Sequence, residues 1–439
     1  MAAKPDFSSK HIIIPSSPTP NHLREFKISL LDQLAPPLYI PIVLFYSAYD
    51  FNPSDLDFKT ISEKLKSSLS KVLSIYHPFC GRVKDNSTVE CDDSGILFIE
   101  SKVTTDLSHI LNNPQVHEIT QLLPFDPYNP QLADQENKEL RATNMAVQLN
   151  EFTCGGIAIA ACFSHKIADG ATTATFLKSW AEIASGRGNI AASSSEIDAA
   201  MVFPPKDIKL DITRGMVGLG KTEIVTKRFI FDKANLSKLK DQFGSFNPTR
   251  VEAVTALIWK SALEAKRVNS SSGLHSASMM SHAVNIRDRM NPPLSKNMLG
   301  NFWQQSISPI MEFNGEVRLL DLANMVRETI RKVDADFICK LQGDGFVKII
   351  ESLMEAKRMV AQKGIPGYGF SSWVRFGFYE ADFGWGMPSW VCTIGVPIEN
   401  VIILMATRDG DGIEAWVTLN KLDMVEFECN PELLKFTLK

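Results

Sequence analysis

An imidazole followed four residues later by a carboxylate, His165-Lys-Ile-Ala-Asp169-Gly170, is the pattern in this chain whose residue types could do acid–base chemistry. Of the eight histidines, only His165 has an aspartate at that spacing. It follows a short, uncharged apolar run, Gly156-Ile-Ala-Ile-Ala-Ala-Cys-Phe163, which predicts a buried strand. Directly after the motif, Ala171, Ala174, Leu177 and Ala181 recur at helical spacing. A neutral histidine at a strand-to-helix corner can serve as a general base, facing a substrate from a fixed backbone. The plainer alternative is a core histidine satisfied by its neighbours. A second motif, Asp382-Phe-Gly384-Trp-Gly386, is an aromatic turn punctuated by glycines and has no simple catalytic role.

These residues need a scaffold, and size and composition bound it. A chain of 439 residues exceeds one ordinary hydrophobic core and predicts two domains of about 200 residues each. Hydrophobic content of 44% with 22% charged residues is ordinary for a globular protein. The formal charge of −4 points to neither nucleic acid nor an anionic membrane, so any phosphate-bearing ligand must be held by a local basic cluster. Seven cysteines without close pairing do not make a disulfide framework. Cys154 and Cys162 lie near His165, but no C-x-x-C or H-x-x-x-H spacing accompanies them, so no metal site is expected. The N-terminus lacks the apolar stretch of a signal peptide, and runs such as Val401–Ala406 are too short to span a bilayer. A cytosolic protein is expected.

Along the chain, Ile61, Leu65, Leu69 and Val72-Leu73 predict an amphipathic helix over 55–76. Residues 95–100, 144–149, 156–163, 223–231, 279–286 and 390–396 predict strands. A helix is predicted over 249–267, and a hairpin over Val401–Thr407 and Ile413–Leu419 around Asp409-Gly-Asp-Gly412. The stretch 191–222, rich in Ser, Gly and Pro, reads as an exposed crossover between an N-terminal domain (1–190) and a C-terminal domain (223–439). Interleaved helices and strands argue for an α/β (α+β) fold. Two decoys fail. Gly215–Thr222 spells the G-x-x-x-x-G-K-[ST] phosphate loop, but prolines and charges precede it and a strand-like run follows. Asp382-Phe-Gly384 spells the kinase magnesium motif, but no H-R-D loop precedes it.

The two motifs, in this order, resemble the plant BAHD acyltransferases, which move an acyl group from a coenzyme A thioester to a hydroxyl or amine. The resemblance covers essentially the whole chain and is strongest with alkaloid-acetylating members. Further residues that carry it are Ile12–Pro20, Lys27–Asp32, Tyr76–Arg82, Asn285-Ile-Arg287-Asp-Arg289, Gly300-Asn301 and Ser371-Ser-Trp373. It implies two similarly built domains like those of chloramphenicol acetyltransferase, with a solvent channel reaching the histidine from both sides.

The resemblance also implies His165 as the general base, and Asp169 in a structural ion pair with Arg287. Asp382, Gly384 and Gly386 would shape the fold away from the chemistry. Ser371 and Trp373 match the region that supplies oxyanion donors; the alternative for Trp373 is core packing. Thr249, Arg250 and Arg289 are candidates for the coenzyme A phosphates, with a solvated face as the alternative. Acetyl-CoA is the expected donor and co-substrate, no tightly bound cofactor is implied, and a monomer is expected. The expected acceptor is a hydroxyl of a plant specialised metabolite, an indole alkaloid by resemblance. Making volatile esters from simple alcohols is the alternative within the family. A non-catalytic binding protein of this fold is the alternative outside it, although neither His165 nor the glycines are lost.

Overall fold

The chain is described by a computed structural model over residues 5–51, 56–129, 143–188, 199–207, 223–270, 277–313 and 315–438. Its contacts separate two compact units. The first comprises Met1–Met216, Ser295–Asn301 and Phe376–Ile394, and the second comprises Val217–Leu294, Phe302–Arg375 and Gly395–Lys439.

The first unit is built on a six-stranded mixed sheet. Its order is Pro5–Ile13, Ile96–Val103, Met145–Phe152, Ile157–Ser164, Tyr39–Tyr46 and Trp390–Cys392. Ile96–Val103 runs parallel to Met145–Phe152; the other neighbours are antiparallel. All eight residues of Ile157–Ser164 are buried, as a continuous apolar run requires when both faces of a central strand are covered. The two longest described helices of this unit pack side by side. Phe58–Ile75 is capped by Asp57, whose carboxylate accepts from Thr60 N at 2.7 Å, and it buries Ile61, Leu65, Leu69, Val72 and Leu73 at the expected spacing. Gly170–Ala184 packs beside it, and the buried Trp180 donates from Nε1 to Ser68 Oγ at 3.0 Å.

The second unit repeats the plan. Its sheet runs Trp303–Ile307, Ala277–Asn285, Gly367–Ser372, Val401–Ala406, Ile413–Asn420 and Ile224–Phe231, with Met311–Glu312 also pairing to Ala277–Asn285. Gly367–Ser372 is parallel to both of its neighbours. The helix Arg250–Asn269 buries Ala253, Val254, Leu257, Ile258 and Trp259, and Trp259 Nε1 donates to Ser278 Oγ at 2.9 Å. The mixed α/β architecture is therefore the one expected, and the hairpin forms in the register Val401↔Thr418 to Ala406↔Ile413.

Three differences matter. The second motif, expected with the C-terminal half, belongs to the first unit, because Trp390–Cys392 pairs antiparallel to Tyr39–Tyr46 as an edge strand. The strand expected over 390–396 is only Trp390–Cys392. Part of the expected exposed crossover is buried: Ala199, Ala200 and Phe203 lie in the first core, and Phe203 O accepts from Leu30 N at 2.9 Å. Residues 208–222, and with them the whole of the phosphate-loop look-alike, lie outside the described residues. Among the described residues no helix is long and apolar enough to cross a membrane.

The second core holds a titratable group at a cost. His282, on the Ala277–Asn285 strand, is 4% exposed; its Nδ1 donates to Ala283 O at 2.9 Å and its ring lies nearly parallel to Phe370. Nε2 is buried without a hydrogen-bond partner among the described residues. Burial lowers its pKa to about 4, and the Arg289 charge acts in the same direction. The unfolded chain therefore takes up this proton first, and stability falls as pH drops from about 6.5 towards 4. Between pH 7 and 5 this group alone should remove about 2 kcal/mol. Chemical denaturation of His282→Gln at those two pH values should show a smaller loss than the parent; an equal loss would exclude His282 as the cause.

Candidate active site

The backbone around His165 is fixed before any side chain is considered. Ser164 N donates to Asn144 O at 2.8 Å and ends the central strand, and His165 N then donates to Leu38 O at 2.9 Å. Ile167 N and Ala168 N both turn back to Ser164 O at 3.2 Å. Asp169 starts the next helix as its N-cap, with Oδ1 accepting from Thr172 N at 2.8 Å. The strand-to-helix corner read from sequence is thus closed by main-chain bonds on both sides of the histidine.

The carbonyl of His165 is held as well. Asn301 Nδ2 donates to it at 2.6 Å and also to Asp32 Oδ1 at 2.8 Å, and Asn301 N donates to the same Oδ1 at 2.7 Å. Asp32 is completely buried, and its Oδ2 accepts from Ser29 N at 3.0 Å and Ser29 Oγ at 2.6 Å. Gly300 permits the approach: its φ is 134°, and a Cβ there would stand 3.0 Å from the Ala199 side chain and 3.4 Å from the Asp32 carboxylate. Its carbonyl accepts from Thr172 Oγ1 at 2.9 Å, tying the same loop to the helix after the motif.

The imidazole itself is half-buried with Nδ1 enclosed. Burial holds its pKa below the ordinary value. The Asp169 charge opposes this most, followed by the backbone of His165, the Asn301 side chain and the backbone of Ala168. The ring is therefore mostly neutral at pH 7 and able to accept a proton. Lys166 is turned away, donating from Nζ to Gln33 O at 3.1 Å.

The second motif sits in the same unit without adding a reactive group. Asp382 Oδ1 accepts from Gly384 N at 2.8 Å and Gly386 N at 2.9 Å, while its other oxygen lies 3.0 Å from Arg187 Nη2. Those bonds lower its pKa against the opposing effect of burial. Gly384 and Gly386 have φ of 99° and 116°, the region that favours glycine. The tight turn drives Phe383 and Trp385 inward, stacked at 5.6 Å, and Phe383 meets Trp180 edge-on at 5.0 Å. Trp180 lies on the helix that Asp169 caps. The two motifs are thus joined by packing.

The remaining candidates belong to the second unit. Ser371 Oγ accepts from Trp373 Nε1 at 3.0 Å, so those two residues do come together. The Arg287 guanidinium stacks 4.7 Å from the Phe302 ring. Thr249 caps the helix Arg250–Asn269 in a reciprocal box with Glu252. Arg250 donates to Gly410 O at 2.7 Å. Arg289 donates to Ile330 O and Val333 O at 2.7 and 2.6 Å, a use that occupies it with the end of the Leu319–Arg331 helix. Among the described residues no group of three or more His, Cys, Asp or Glu is placed to hold a metal ion. Sequence reading missed the parts played by Asp32 and Asn301; the signal available was the Ser29-Leu-Leu-Asp32 capping pattern.

The family model described as the Transferase family matches residues 3–434. The chain is 37% identical to limonoid 1-O-acetyltransferase of Citrus sinensis, over 98% of this chain and 97% of that protein. It is 36% identical to stemmadenine O-acetyltransferase of Catharanthus roseus, over 97% and 96% of the two chains, and 36% identical to vinorine synthase of Rauvolfia serpentina, again over 97% and 96%. The crystal structure of vinorine synthase superposes with a TM-score of 0.83 at 34% identity, covering 99% of this chain and 98% of that one.

The Asp382 turn carries its own prediction. Asp382→Ala removes the acceptor of two backbone N–H groups and the partner of Arg187, which should cost about 1–3 kcal/mol. A fall of several degrees in melting temperature is expected. An unchanged melting temperature would show that the turn holds itself.

Proposed function

The chain belongs to the Transferase family, the BAHD acyltransferases, and is a coenzyme A-dependent O-acyltransferase; on that premise we propose that it moves an acetyl group from acetyl-CoA to a hydroxyl of a polycyclic plant specialised metabolite, with His165 as general base. The observation that carries the reading is His165 itself: a neutral imidazole, its pKa held down by burial, on a corner whose main chain is bound on every side.

In this mechanism Nε2 takes the hydroxyl proton as the oxygen attacks the thioester carbonyl. The tetrahedral oxyanion collapses with cleavage of the C–S bond, and the imidazolium returns the proton to the thiolate. Ester and free coenzyme A leave, and no acyl-enzyme forms. By family resemblance Asp169 pairs with Arg287 and Ser371 supplies an oxyanion donor, its hydroxyl oriented by the Trp373 Nε1–H that it accepts; Thr249 and Arg250 are the proposed contacts to the coenzyme A phosphates. The acceptor class is supported by relatives named for limonoid and stemmadenine acetylation, which widens the indole-alkaloid expectation to polycyclic alcohols. The protein works as a cytosolic monomer in this reading; its seven free cysteines suit a reducing compartment.

Incubation with acetyl-CoA and a panel of hydroxylated indole alkaloids, oxygenated triterpenoids and simple alcohols tests the reading. Polycyclic alcohols should be acetylated and simple alcohols should not; a preference for simple alcohols would favour ester-forming chemistry. His165→Ala should lose about 10²–10⁴ in rate with its fold intact. Initial rates should give intersecting double-reciprocal lines, and an acetylated protein trapped with acetyl-CoA alone would overturn the direct route.

Asp169→Asn separates charge from structure, because asparagine caps a helix as well as aspartate does. Removing the negative charge favours the neutral imidazole, so the acidic limb of the kcat/KM profile should move to lower pH. A limb that stays in place would show that the Asp169 charge does not act on the base.

A further inference from the structure

The turn 407–412 joins the two strands of the hairpin in the second unit, and it reaches beyond them. Asp409 Oδ1 accepts from Thr407 Oγ1, from Asp411 N at 3.0 Å and from Gly412 N at 3.4 Å, while Thr407 Oγ1 accepts from Gly412 N at 2.8 Å. Gly412 has no room for a side chain: a Cβ there would stand 2.6 Å from Thr407 Oγ1 and 2.8 Å from Phe231 O. Gly410 has a φ of 72°, and its carbonyl oxygen accepts from Arg250 Nη1 at 2.7 Å.

Helix stability does not account for Arg250. It is the first residue of the helix Arg250–Asn269, where a cation opposes the helix dipole. The carboxylates closest in the chain to Arg250 and to Gly410 are committed elsewhere. Glu252 pairs with Arg327 at 2.8 Å, Asp411 pairs with Lys233 at 2.8 Å, and Asp409 is bound into its own turn. Among the described residues Arg250 forms no ion pair, and Gly410 O is its hydrogen-bond partner. A carbonyl fixes a guanidinium without neutralising it, which leaves the charge and the other N–H groups for an anion.

Resting on the reading of Arg250 as a contact to the coenzyme A phosphates, we propose that Asp409 and Thr407 are positioning residues for the donor: they shape the 407–412 turn so that the Gly410 carbonyl pre-orients the Arg250 guanidinium for a phosphate of coenzyme A. A side chain already held in its bound geometry loses less freedom when the phosphate arrives. Neither Asp409 nor Thr407 touches the ligand; each acts through Gly410 and Arg250. By charge alone a carboxylate beside a phosphate weakens binding. The sign of the effect therefore separates geometry from field.

Calorimetric titration of the full chain with coenzyme A tests this without any acceptor. Arg250→Ala should raise Kd about 10–100-fold, the loss of a charge-assisted contact. Asp409→Ala should raise it about 2–10-fold although it removes a negative charge, and Thr407→Val should do the same with no change of charge. In an Arg250→Ala background, Asp409→Ala should add less than about twofold, because its effect runs through the arginine. A parent that does not bind coenzyme A, or an Arg250→Ala variant that binds as the parent does, overturns the reading of the donor site and the proposal with it. If Arg250→Ala weakens binding while Asp409→Ala and Thr407→Val bind as the parent or more tightly, the positioning role alone falls. It falls too if Asp409→Ala costs as much with Arg250 absent as with it present, which would mark the turn as a fold element. If Asp409→Ala does not fold, Thr407→Val carries the same cycle, and if neither folds the proposal is overturned.

Discussion

A histidine proposed as a general base is only as well aimed as the main chain beneath it, and the bonds that close the strand-to-helix corner at His165 are what the rest of this site depends on. Its N–H, its carbonyl and the turn after it are each tied to a different part of the chain: Leu38, Asn301 and Ser164. None of these contacts involves an imidazole nitrogen. The imidazole keeps one nitrogen enclosed while burial holds the ring neutral. Burial alone would make histidine a weaker base, and Asp169 opposes it, so the side chain is balanced between two effects.

The aromatic column extends this rigidity. Phe163, two residues before His165, meets Phe176 at 5.4 Å, and Phe176 meets Trp180 at 6.4 Å. Phe383 then meets Trp180, and Trp385 and Tyr46 complete the group. The glycines of the second motif earn their place through geometry: only a turn with two positive-φ residues brings Asp382 over two N–H groups and both aromatic rings inward. That accounts for a motif that looked purposeless beside the histidine. It is a packing device attached to the helix that Asp169 caps.

Much of this was legible in the chain. The strand before His165, the helix after it, the amphipathic helix beneath and the Val401–Asn420 hairpin all follow from local periodicity, which depends on neighbours in sequence. The missing parts are those that depend on distant segments. Nothing near Asp382 announces that Trp390–Cys392 will pair with Tyr39–Tyr46, since a short edge strand carries no periodic signature. Asp32 stands in a Ser29-Leu-Leu-Asp32 pattern that fits a helix cap, but only one of its oxygens serves the cap; the other is committed to Asn301, which no local pattern reveals. Ala199–Phe203 lay in a stretch that looked like linker because serines and prolines surround a few apolar residues.

These returns have a physical consequence for how the first unit is assembled. Its sheet lacks an edge strand until Trp390–Cys392 arrives, and the His165 carbonyl lacks its amide donor until Asn301 arrives. Both come from beyond the start of the second unit, so the corner at His165 is completed only after most of the chain has been made. Closing such long loops costs entropy that grows only slowly with length, and buried contacts such as Asn301 with Asp32 and Phe383 with Trp180 offset it. The geometry at His165 is therefore a property of the whole chain, although the histidine itself and most of its local support lie within a few dozen residues.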